Sequence, residues 1–189
     1  GASDIASSGD VSIKTGSTIS ASGAMSLQTG DGSTSGSISL RSGASLDDSG
    51  SQNVVAGSTT NGLGGNIAIR GGKATSQTGG QILLESGTSD TISSGSVSLI
   101  TAGSSVTTGN MDISSGNAIK SSGSINIGTG DSSADNAGQV IVATGSSVNT
   151  QGASISLVAG ASDTSTGGSI ALNSGASSQD VSGTVSIST

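Results

Sequence analysis

A short unit, Gly-x-Φ-x-Φ-x-[small]-Gly with Φ a large aliphatic residue, is written thirteen times along this chain. Its copies open at positions 9, 23, 36, 50, 65, 80, 95, 109, 123, 138, 153, 168 and 183, a mean spacing of 14.5 residues. The aliphatic pairs are Val11/Ile13, Met25/Leu27, Ile38/Leu40, Ile67/Ile69, Ile82/Leu84, Val97/Leu99, Met111/Ile113, Ile125/Ile127, Val140/Val142, Ile155/Leu157, Ile170/Leu172 and Val185/Ile187. The fourth unit keeps Val54 but has Gln52 at the first Φ position, and Ala153 replaces one opening glycine. Alternation with period two, β-branched enrichment and glycine at both ends predict a short strand with one buried face in each unit. Helix is excluded by the same period and by the glycines.

Strands recurring at this interval, with no Pro and no long connections, predict an all-β fold: a parallel β-solenoid in which like residues stack into ladders. The 25 aliphatic Φ residues are the expected core ladder, and glycine is expected at corners of positive φ. The connections fall into three recurring classes. One holds "GSTI" at Gly16, "GSTT" at Gly57 and "GSSV" at Gly103 and Gly145. A second holds "GASLDDSG" at Gly43 and its relatives at Gly1, Gly87, Gly130 and Gly175, and the third is more varied. This longer period of about 44 residues predicts three units per coil; the alternative is one unit of 14 to 15 residues per coil, with the longer period left over from duplication. Residues 1–189 read as a single repetitive segment whose two ends are expected to be cuts through a longer repeat protein.

Composition narrows what such a chain does. Only 30% of residues are hydrophobic and none is aromatic, so no thick core can be built. Burial at the Φ positions alone cannot offset the entropy of ordering the backbone, and such a segment is expected to gain from joining others at its unpaired ends. A net charge of -7, with five Lys and Arg in all, argues against a nucleic-acid partner. No apolar run is long enough to span a bilayer. The absence of Cys rules out disulfides and thiolate metal sites, and no Asn-x-Ser/Thr sequon occurs.

Catalysis needs a nucleophile with its base, paired carboxylates or a metal. Ser is abundant, but there is no His to activate it, and "GGKAT" at Gly71 lacks the spacing of a phosphate loop. The expectation is that the chain is not an enzyme. The one local constellation is acidic: Asp4, Asp47, Asp48, Asp90, Asp131, Asp135 and Asp180 recur in the same connection class and would line one edge of a three-unit coil. A hard cation such as Ca²⁺ would relieve their repulsion through oxygen ligands. The plainer reading is a solvated acidic edge, with no cofactor. The small, mostly uncharged residues between the Φ pairs would suit packing against another sheet or a polysaccharide, or would be ordinary exposed faces.

The repeats "GSISLRSG", "GSINIGTG" and "GSIALNSG" resemble the Gly/Ser-rich repeats of surface and matrix proteins of unicellular algae, and more loosely those of bacterial β-solenoid adhesins. That resemblance covers nearly the whole chain and implies an extracellular or cell-surface fibrous scaffold. The expected function is therefore a structural protein that builds a filament, sheath or surface hair through stacked coils and end-to-end association with itself. The alternative is an adhesin-type stalk or binding module for a glycan, a surface or calcium.

Overall fold

The computed structural model describes residues 8–188. Among them there is no helix and no strand, so the expected parallel β-solenoid, at either coil size, is not the fold. What forms instead is a series of segments separated by bends, with five of the twelve connections closed by a backbone hydrogen bond. The backbone bends at 19–20, 32–34, 46–47, 60–62, 75–77, 90–92, 105–106, 119–120, 133–135, 148–150, 163–165 and 178–180, once in each connection between consecutive units. The 14.5-residue spacing is thus a real structural period, although its product is a loop rather than a coil.

Closure of these loops follows from their length. Seven connections place the next unit's opening residue eight positions after the closing glycine; the others are shorter. In five of the seven, the opening glycine N–H donates to the closing glycine carbonyl: Gly65 to Gly57, Gly80 to Gly72, Gly95 to Gly87, Gly168 to Gly160 and Gly183 to Gly175, all at 2.8–2.9 Å. Nearby chain ends with a compact run between them make these small Ω-type loops. Pinches occur in connections of all three sequence classes, so the 44-residue period leaves no mark on this geometry.

Where the loop ends meet, glycine opens the next unit for a reason other than the one expected; at Gly9, Gly109 and Gly123 a Cβ would meet nothing within 4 Å. No described residue, glycine included, has positive φ. The constraint is close approach. A Cβ on the opening glycine would sit 3.2 Å from the Ala56 side chain at Gly65, 3.4 Å from Ser86 at Gly95, 3.4 Å from Thr129 at Gly138 and 3.4 Å from Ala159 at Gly168. Each of these partners is the small residue that closes the preceding unit. Ala56, Ser86 and Ala159 are also the only described residues that are partly buried rather than exposed. The recurring small residue and the glycine nine positions after it are two halves of one contact.

No strand forms because a strand requires a second segment to share its backbone ladder. Among the described residues the backbone bonds are the loop closures themselves, and beyond each pinch the extended segments make no further paired rungs.

The expected core ladder falls with the solenoid, and not one of its 25 members is buried. The first residues of the pairs, Met25, Ile38, Ile67, Ile82, Val97, Met111, Ile125, Val140, Ile155, Ile170 and Val185, are 48–58% exposed, and Val11 is 88% exposed. The second residues are more exposed still. Ile13, Leu27, Leu40, Val54, Ile69, Leu84, Leu99, Ile113, Ile127, Val142, Leu157, Leu172 and Ile187 all lie between 64% and 90%. The physical reason is the missing neighbour: a ladder buries its side chains only when the next coil lies on top of them, and no coil is formed here. The surface consequently amounts to 18998 Å², against roughly 7,900 Å² for a compact monomer of this mass.

The chain divides into two units, Gly1–Val97 and Ser98–Thr189, parted inside the seventh repeat. The first contains the pinches at Gly57, Gly72 and Gly87, and the second those at Gly160 and Gly175. The same loop is built in both.

The tightest pinch provides a test. A Cβ at Gly80 would lie 2.8 Å from the Gly72 backbone nitrogen, whereas at Gly64 it would meet nothing within 4 Å. Gly80→Ala is expected to abolish whatever hydrogen-exchange protection the residue 80 amide has. Gly64→Ala should leave the adjacent Gly65 amide unchanged, although it lies in a pinched loop too.

Candidate functional site

Among the described residues, the connections carry the recurring polar geometry. In eight of them the residue two places after the closing glycine is Ser or Thr, and its hydroxyl oxygen accepts a backbone N–H two or three residues further on. Thr18 Oγ1 accepts from Ser20 (3.2 Å), Ser45 Oγ from Asp47 (3.3 Å), Thr59 Oγ1 from Gly62 (3.2 Å) and Ser89 Oγ from Ile92 (3.1 Å). Ser132 accepts from Asp135 (3.2 Å), Ser147 from Thr150 (3.2 Å), Ser162 from Ser165 (3.1 Å), and Ser177 from both Gln179 (3.3 Å) and Asp180 (2.9 Å). In the Gly103 loop Ser104, one place earlier, does the same for Val106 (3.2 Å). A short hydroxyl side chain can bond its own downstream backbone and hold a bend without a ladder. The signal was present in the sequence as Gly-x-[Ser/Thr] at these connections, in "GSTI", "GASL" and "GTSD" alike. Grouping the connections by similarity concealed it; asking where each loop's backbone N–H groups find acceptors would have found it.

The expected acidic edge is distributed over these same loops. Asp4 lies outside the described residues. Asp47 and Asp135 are held through their backbone N–H groups, and Asp180 both donates its N–H to Ser177 and accepts the Val181 N–H on Oδ1 at 2.7 Å. Asp90 stands at the start of the 90–92 bend, and Asp48 and Asp131 flank the bends next to them. Among the described residues no three carboxylates come close enough together to hold a metal ion. The three-unit coil that would have aligned them is not formed, and each stays with its own loop.

The aliphatic pairs, displaced from a core, show a repeating pattern of exposure. In nearly every unit the first Φ residue is about half exposed and the second more so, as with Ile38 before Leu40 or Ile125 before Ile127. Aliphatic residues of the loops, such as Ile19, Leu46 and Ile119, are fully exposed. Gln52, the polar exception in the row, does not face outward idly: its Nε2 donates to the Leu40 carbonyl at 3.0 Å. A Cβ on Gly50 would lie 3.6 Å from the Ser42 side chain at the base of that loop, so residues 40 and 52 lie two steps outward on each side. The segments there run back along each other for a short distance. Among the described residues no cavity is enclosed, and no helix is long and apolar enough to cross a membrane. These residues offer recurring exposed aliphatic pairs and hydroxyl-capped bends.

Removing one cap should show its local weight. Ser177→Ala deletes the acceptor of two N–H groups at an exposed bend and is expected to cost that loop about 0.5–1.5 kcal/mol. The readout is faster exchange of the Asp180 amide, by several-fold; Ser178→Ala, one residue along, should not change it. No family model, curated protein or solved structure matches this chain.

Proposed function

We propose that the chain is a structural protein whose copies associate with one another to build an extracellular filament, sheath or surface hair, with no catalytic role of its own. The observation that carries this reading is the exposure of all 25 aliphatic Φ residues, which recur along the chain at a mean spacing of 14.5 residues. Apolar side chains repeated at fixed spacing and left uncovered are an association surface. A second copy carries the same 14.5-residue spacing and can match the row over many units.

The magnitudes favour extended contact. Fully burying one such side chain contributes about 1.5–3 kcal/mol, whereas association costs about 4–15 kcal/mol in lost freedom. One or two units cannot hold two copies together; several in series can. A long repeat with a thin apolar row is therefore suited to lateral or end-to-end assembly, where contact length substitutes for core depth. The charges suit the same arrangement: acidic residues sit mainly in the loops, outside the Φ rows, and the net charge of -7 favours solubility until enough apolar row is matched. The absence of Cys suits a long-lived chain outside the cell, indifferent to redox conditions.

Sedimentation velocity over a concentration series, with electron microscopy of the product, tests the reading. Elongated assemblies that grow with concentration are expected. Ile38→Ser, Ile82→Ser and Ile125→Ser, combined, should raise the concentration needed by on the order of tenfold or more for each residue. A chain that stays monomeric at every concentration, with these substitutions making no difference, overturns the proposal.

A further inference from the structure

Asn61 is the one asparagine followed by glycine, and it lies at the middle of the 60–62 bend in the loop closed by Gly57 and Gly65. Its side chain is exposed, and so are those of its neighbours. The Gly62 N–H is held by a single exposed hydroxyl, Thr59 Oγ1, rather than by a ladder. We propose that Asn61 is a site of spontaneous covalent modification, in which the Gly62 backbone nitrogen closes on the Asn61 side chain and converts it to aspartate and isoaspartate.

The step balances without a cofactor. The Gly62 amide gives its proton to solvent hydroxide, and the nitrogen attacks Asn61 Cγ. A Cγ–N bond forms, the Cγ–Nδ2 bond breaks, and Nδ2 leaves as ammonia after taking a proton from water. The five-membered imide is then opened by water at either carbonyl. Opening on one side gives aspartate, and opening on the other gives isoaspartate, in which the former side-chain carbon has entered the backbone. One water is consumed and one ammonia released, with no change of oxidation state.

Geometry selects this asparagine. The attacking nitrogen must swing toward Cγ, which requires backbone rotation at the junction of the two residues. Without a Cβ, glycine permits rotations that side-chain-bearing residues resist. Asn53 precedes Val54 and Asn66 precedes Ile67, both β-branched and stiff, so the same approach is hindered there. The product adds one negative charge to the loop. In its isoaspartyl form it also lengthens the chain between Gly57 and Gly65 by one carbon, which loosens the pinch.

The test uses the intact chain, incubated in mildly alkaline buffer and sampled over time. Cleavage after Arg41 and Arg70 places Asn53, Asn61 and Asn66 in one peptide, so mass spectrometry with fragmentation compares all three in the same sample. Conversion at Asn61 is expected on the order of tenfold faster than at either neighbour, with both aspartate and isoaspartate formed. Gly62→Ala is a clean second variant: its φ is not positive, and its Cβ would meet only Thr59 Oγ1 at 3.5 Å, an ordinary contact. It should slow conversion by a similar factor. Equal rates at the three asparagines, or a rate at Asn61 unchanged by Gly62→Ala, overturn the proposal.

Discussion

Each pinched loop of this protein depends on the approach of a glycine to the small residue that ended the unit before it. Everything local follows from that contact. A larger side chain on either partner would hold the loop ends apart, and the backbone bond across the pinch, as from Gly65 to Gly57, would lose its geometry. The hydroxyl caps act inside the loop so that the bend is already formed when the ends meet. Closing a loop of about nine residues costs roughly 2 kcal/mol of chain entropy. A net bond contributes about 0.5–1.5 kcal/mol, and a cap a comparable amount. Bond and cap are each no larger than the closure cost, so each loop rests on short-range terms alone and opens on its own account rather than with a global unfolding event.

The same short range of these bonds leaves the aliphatic residues uncovered. Loop closure at a separation of eight residues uses short-range bonds, and nothing of comparable strength draws one extended segment against the next along its whole length. Gln52 is instructive because it breaks the row. Where the others present an aliphatic side chain, its amide reaches twelve residues back to the Leu40 carbonyl and ties two units together. The aliphatic residues have no such directional bond available, and their contribution comes only when another apolar surface excludes water from them.

Function, on the proposed reading, lies in what the rows do together. Thirteen near-equivalent units carry exposed aliphatic pairs that recur every 14.5 residues on average along the sequence, so apolar contact grows with the number of units matched. The loops stand between the rows, acidic, hydroxyl-rich and capped. This separation assigns cohesion to the Φ positions and solubility to the connections. The Φ positions range over Ile, Val, Leu and Met, whereas the closing position is held to Gly, Ala, Ser or Thr, side chains small enough for the approach at the pinch.

The sequence by itself determined the period, the places where the chain bends, the confinement of most charges to the connections and the identity of the row residues. Each of these rests on local chemistry, on glycine, short hydroxyl side chains and period-two spacing, which acts within a dozen residues. It misled on glycine's role, since close approach and positive φ both select glycine and only coordinates distinguish Gly65 against Ala56 from a corner residue. It also left the Gly-x-[Ser/Thr] caps unread, although every one was present. What only the tertiary structure decided was whether the alternating segments become strands and whether pairs such as Ile69 with Ile67, or Leu172 with Ile170, become a core. That depends on a partner segment at ladder distance, and alternation is the same whether the apolar face meets another segment or water. For the same reason the acidic residues, alike by class, were not gathered: Asp47, Asp90, Asp135 and Asp180 share a sequence context, but without a stacked coil each remains in its own loop.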